Sequence, residues 1–129
     1  MIKPEDVTII IPHLGGSSEA EYVLDECLKS LAETIDTKIL VVKNGDTNCQ
    51  HIGNIILRNQ GQCMAVNAAA ATVSTPWIFV TNDDMVYAPG WFEELVEPVE
   101  DSFIHKSTTM NYAPIYCISP QLVEPRKGA

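Results

Sequence analysis

No two cysteines of this chain stand in a CxxC pair. The four, Cys27, Cys49, Cys63 and Cys117, are scattered, which matches no zinc pattern and points to free thiols in a reducing compartment. No apolar run reaches the roughly 18 residues that span a bilayer. The start, Met1-Ile2-Lys3-Pro4-Glu5-Asp6, is polar, and the apolar run Val7 to Pro12 is too short for the core of a secretory signal. A cytoplasmic protein is expected, with the cytosolic face of a membrane left open as an alternative. Cations are also scarce: 8 Lys and Arg stand against 17 Asp and Glu, a formal charge of −9. Without a basic face to track phosphates, nucleic acid is not an expected partner. A nucleotide ligand is still compatible, because a divalent cation can bridge acidic side chains to phosphates. There is no GxSxG elbow, no Walker lysine loop and no HExxH.

What is present is enough for one domain, taken as residues 1–129. With 46% hydrophobic and 19% charged residues the chain is globular in composition. Val7-Thr8-Ile9-Ile10-Ile11 is a β-branched run closed by Pro12, as in a strand buried on both faces. Ser18 and Glu21 read as a capping box that starts a helix reaching Thr34. Val23, Leu24, Cys27, Leu28, Leu31 and Ile35 make one apolar stripe on it. Strands follow at Ile39–Val42, Ile55–Leu57 and Trp77–Val80. An Ala-rich helix is expected from Gln62 to Thr72 and an acidic-faced one from Trp91 to Val99. A further strand is expected at Ile115–Ile118. Strands alternating with helices give an α/β fold with a mainly parallel sheet and flanking helices, Rossmann-like in plan.

In such sheets ligands gather at the carboxyl ends of the strands. Those ends carry Pro12-His13-Leu14-Gly15-Gly16, then Lys43-Asn44-Gly45-Asp46, then Arg58-Asn59-Gln60-Gly61, then Asn82-Asp83-Asp84. The opposite edge is plainer, with Asp36-Thr37 and Ser74-Thr75-Pro76. Two adjacent carboxylates after an apolar strand are either solvated turn residues or ligands of a hard cation. Mg²⁺ or Mn²⁺ takes one or two carboxylates, several waters and substrate phosphates. Residues of an extended segment alternate in direction, so Asn82 and Asp84 are expected on one side and Asp83 on the other. If they hold a cation, Asp84 is then the better metal ligand, with Asn82 able to hydrogen-bond a neighbouring sugar hydroxyl. Gly61 marks either a turn or a close approach of backbone to ligand. Asn67, unfavoured inside a helix, is either exposed or an inward amide tying the helix to a loop. His13 is either a loop residue or part of the site.

Taken together, "VTIIIP", the amphipathic helix, "KILVVKNGD", "NQGQCMAVNAAAA", "WIFVTNDDM" and "APGWFEELV" resemble the donor half of the family-two glycosyltransferases of GT-A fold. The resemblance covers about Val7 to Val99. It implies a nucleotide-diphosphate sugar as donor, with an unknown acceptor. The loops after the first two strands would hold the nucleobase, and Asn82-Asp83-Asp84 would stand for the DxD motif. Its last acid, Asp84, would bind the divalent metal, and Asn82 would reach the ribose. Donor-binding positions are then Pro12, His13, Asn44, Asn59, Gly61, Asn67, Asn82 and Asp83. Lys43 stands where the family usually has an acid, and Pro12-His13-Leu14-Gly15-Gly16 replaces the usual Pro-Thr-Tyr-Asn. The acceptor half, with the carboxylate that deprotonates the acceptor, is apparently absent. The chain alone is therefore expected to bind donor without transferring sugar. Apolar sheet surface around Ile115 and Ile118 would favour a homodimer. Two rival readings are a non-catalytic binding module of the same fold and, ranked last, a nucleotidyltransferase, whose basic Gly-rich loop is missing.

Overall fold

The computed structural model describes residues 1–44, 55–57 and 61–106, with backbone alone at 44, 55–57 and 103–106. The chain divides into two compact units, Ile2–Pro89 and Gly90–Ala129 with Met1. The expected strand at Ile115–Ile118, and the dimer argument built on it, lie outside the described residues.

The first unit is an α/β sheet domain. After a 3₁₀ turn at Pro4–Asp6 come β1 (Val7–His13), α1 (Ser18–Thr34), β2 (Lys38–Asn44), β3 (Ile55–Leu57), α2 (Gln62–Ala70) and β4 (Trp77–Val80). The four strands form one parallel sheet in the order β3-β2-β1-β4. Strand β1 is central, which suits its β-branched run, and Ile9, Ile10 and Ile11 have no solvent exposure. Alternate side chains of a strand face opposite sides. Ile10 meets Leu40 and Val42 of β2 and the small residues Ala65 and Ala69 of α2. Those alanines, four apart on the helix, let α2 lie close on the sheet. Ile9 and Ile11 occupy the other face. On α1 the buried stripe is Leu24, Cys27 and Leu31, while Leu28 and Ile35 are half-buried and Val23 is exposed.

Strand β1 runs two residues further than its proline suggested. Ile10 O accepts from Thr81 N at 3.0 Å, so Ile10 directs its polar groups toward β4. Pro12, two residues on, would direct an amide the same way, but β1–β4 pairing ends at Ile10–Val80. The missing N–H therefore costs no ladder bond. The start of α1 also differs from the capping-box reading. Its cap is Ser17, whose hydroxyl accepts from Ala20 N at 3.1 Å, and Glu21 is turned to another partner. Strand β4 is not buried on both faces: Trp77 and Phe79 are half-buried, whereas Ile78 and Val80 are each 43% exposed.

In the second unit, α3 spans Trp91–Lys106 and continues through Pro98 rather than ending at Val99. Pro98 removes the amide that would reach back to the Glu94 carbonyl. Phe92, Val99 and Ser102 are buried on one stripe, and Glu93, Glu94, Glu97 and Asp101 are exposed.

Candidate functional site

Along the chain, β1, β2 and β3 are laid down in one direction, and β4 returns to the other side of β1. The reversal leaves a crevice beyond the carboxyl ends of β1 and β4, the general place for ligands in open parallel sheets. A cavity of about 380 Å³ lies there. Its walls are Pro12, His13 and Leu14 from the end of β1, Gln62 from the start of α2, and Asn82, Asp83 and Asp84 after β4.

The acid segment is not a continuation of the strand. Strand β4 stops at Val80, and Asp83 and Asp84 form a turn, so strict strand alternation does not govern them. All three residues of Asn82-Asp83-Asp84 reach the cavity. Their exposure nevertheless alternates: Asn82 and Asp84 are exposed and Asp83 is half-buried. The cause is a side-chain tether. Asp83 Oδ2 lies 2.7 Å from His13 Nδ1. On the other side of the ring, His13 Nε2 lies 3.1 Å from Glu21 Oε1. The imidazole is 1% exposed and Glu21 8%. A neutral imidazole donates from one nitrogen and accepts at the other, while an ionised carboxylate only accepts. The chain of three is satisfied when both ring nitrogens carry hydrogen or when one carboxyl keeps its proton.

Further bonds hold the turn from behind. The Cys27 thiol lies 3.7 Å from Asn82 O, Tyr87 N donates to Ser30 Oγ at 3.0 Å, and the Thr81 and Tyr87 hydroxyls bond each other. Burial pushes the Cys27 thiol from its ordinary 9.0 up to about 11, against a Met85 backbone hydrogen bond and with help from the Asp83 and Asp84 charges. Burial likewise raises the Tyr87 phenol, opposed by its bond to Thr81. The sign of the effect on stability follows. Below 9.0 both folded and unfolded chains keep the Cys27 proton. Between 9.0 and about 11 only the folded chain keeps it, so stability falls as pH rises through that window. Calorimetric melting across this range should show the fall, with a shallower slope in Cys27→Ala. An unchanged slope would assign the alkaline loss to other groups.

The remaining expected positions divide as follows. Gly61 caps α2 with φ +91°, a backbone that only glycine adopts freely. Asn67 is exposed on α2. The backbone of Asn44 closes β2 opposite Leu57, while its side chain and all of Asn59 lie outside the described residues. Three residues of this region escaped the sequence reading. Gln62 and Leu14 line the cavity; Leu14 was legible only as part of the strand-end segment, and Gln62 only as the start of α2 beside Gly61. Glu21 was legible only as a helix-start residue. Among the described residues no three His, Cys, Asp or Glu side chains converge as a ready-made metal cage. No helix among them is long and apolar enough to cross a membrane.

Comparison with known proteins finds no match among curated sequences and none among solved structures. At the level of families, glycosyl transferase family 2 matches residues 8–105. That span begins in β1, closes in α3 and takes in the whole cavity wall, and the chain belongs to this family.

Proposed function

We propose that the cavity at the ends of β1 and β4 binds a nucleotide-diphosphate sugar through a divalent cation, Mg²⁺ or Mn²⁺, as the donor site for sugar transfer. One observation carries the reading. The wall of the cavity contains two carboxylates and, among the described residues, no Lys or Arg. A diphosphate entering such a wall is repelled unless a cation intervenes. An oxygen-only donor set, Asp84 with Asp83 and Asn82 beside it, fits a hard cation that keeps waters and takes phosphate oxygens. That also agrees with the lack of a full protein cage, since Mg²⁺ is seldom enclosed by protein alone. The volume is in the usual range for small-molecule sites.

In this reading Asp84 faces the cation and Asn82 offers its amide to a sugar hydroxyl. Gly61 and Gln62 present the N-terminus of α2, where the helix dipole favours phosphate. Pro12 lines the same cavity, and the donor-binding roles of Asn44, Asn59 and Asn67 rest on the family resemblance alone. When bound, the cation would supply Lewis-acid stabilisation of the leaving diphosphate. The protein's part is to hold the donor, orient it and limit water at the crevice. The only described carboxylates on the cavity wall are Asp83 and Asp84, so the reading stops at the donor and names no base for the acceptor. A cytoplasmic setting, or a cytosolic membrane face, belongs to the same proposal.

Thermal melting tests it. A ligand specific for the folded state adds about 2.7 kcal/mol at a hundredfold excess over Kd. A nucleoside diphosphate with Mn²⁺ should therefore raise Tm by roughly 10 °C or more. Either component alone should raise it less. No shift with any nucleotide, with or without Mn²⁺, would turn the reading toward a non-catalytic interaction module.

A further inference from the structure

We propose that Glu21 and His13 are positioning residues for the acid turn: a buried Glu21–His13–Asp83 chain fixes Asp83 inward and so sets Asp84 toward the cavity. The inference rests on the donor-site reading for its purpose, but not for its geometry.

The chain joins three separate elements. Glu21 comes from the first turn of α1, His13 is the last residue of β1, and Asp83 lies in the turn after β4. Sheet pairing cannot hold that turn, because the last ladder bond is Thr81 N to Ile10 O. Beyond it, the described link between the acids and the central strand is the 2.7 Å approach of His13 Nδ1 to Asp83 Oδ2. A ring that is 1% exposed cannot swing to an alternative partner in water. Its other nitrogen is taken by Glu21, and burial of a polar group without a partner costs free energy. Glu21 therefore fixes the orientation of the imidazole, and the imidazole fixes the carboxylate. With both ring nitrogens facing carboxylates, His13 acts on the site through Asp83. Asp83 and Asp84 are neighbours in a tight turn, so pinning one side chain decides where the next one points.

The test uses the full chain and two substitutions that cut the chain at different links, Glu21→Leu and His13→Phe. Glu21→Gln keeps an acceptor oxygen at the same place and serves as the rescue variant. Backbone amide spectra and hydrogen exchange report the free protein, and calorimetry reports Mn²⁺ with a nucleoside diphosphate. Both cuts should shift and deprotect the amides of Asn82 to Met85 while those of Ile39 to Val42 in β2 stay unchanged. Both should weaken Mn²⁺-dependent binding by about tenfold, the lower end for loss of an outer-shell partner. Glu21→Gln should restore most of both. Unchanged turn amides in both cuts, or equal change throughout the sheet, would overturn the proposal. If either cut variant fails to fold, the wild-type chain still decides: His13 should show a slowly exchanging ring proton, and its absence rejects the tether. Failure of the donor reading looks different, since wild-type protein would then bind no nucleotide while the turn amides still respond.

Discussion

Asp84→Ala is expected to abolish Mn²⁺-dependent nucleotide binding, a loss of more than about a hundredfold. The carboxylate is exposed at the cavity wall, and the cation reaches the diphosphate only if a carboxylate holds it there. With no Lys or Arg in the described wall, no described side-chain cation there offsets the phosphate charge. The same substitution should leave folding nearly untouched, because exposed changes usually stay within about 0.5 kcal/mol. Asp83→Ala should behave differently. It removes the tether to His13 and frees a buried ring nitrogen, so it should lower affinity by about tenfold and also lower Tm. Calorimetric titration of both variants separates the roles. Equal loss of affinity with equal stability would mean that both acids ligate the cation and that the His13 contact is incidental.

Ile10→Ala is expected to be the most damaging single truncation, at about 2–5 kcal/mol. Ile10 is fully buried on the central strand and packs on Leu40, Val42, Ala65 and Ala69. Two of these neighbours are already alanines, with no side-chain length to fill the space. The helix would have to move as a body, so most of the cavity should persist. Against a typical total stability of about 5–15 kcal/mol, the loss should lower Tm by on the order of 10–20 °C. Ile78→Ala removes the same atoms from a position 43% exposed and should cost under about 1 kcal/mol. Denaturant melts of the two variants make the comparison. Similar costs would show that α2 settles onto the sheet more readily than its alanine face implies.

The parts of the fold that were legible are those set by local pattern. The apolar stripe placed α1 and its end near Thr34, although its cap is Ser17 and not the expected capping box at Ser18, and the short apolar runs gave β3 and β4 to the residue. Pattern failed where long-range geometry decides. Proline usually ends a strand, but Pro12 lies where the neighbouring ladder has already stopped, a fact that only the β1–β4 register contains. Helix α3 runs on through Pro98 to Lys106, past the expected end at Val99. Glu21 sits three residues after Ser18, and nothing local separates a capping glutamate from one that reaches back to His13. The acid turn was recognisable from residue type after an apolar strand. Its internal order was not, because the pairing of Asp83 with a histidine 70 positions earlier leaves no periodic trace.

That separation has a consequence for how the molecule assembles. Strands β1 and β2 are joined through a single helix, and the Thr37 hydroxyl already reaches Val7 O over 30 positions. The β1–β4 pairing must close a loop more than twice as long, at an added entropic cost of about 0.6 kcal/mol per doubling. It then gains only a strand of four residues. The cheaper closure therefore comes first, and β4 docks on a preformed β1–β2 pair. His13 waits on β1 until that docking delivers Asp83. On the return path, fraying of β4 undoes the cavity at the ends of β1 and β4 while the β1–β2 core remains folded. A ligand that spans the two sides of the crevice then acts as a clamp on the last step of folding, and its binding should slow unfolding more than it speeds folding.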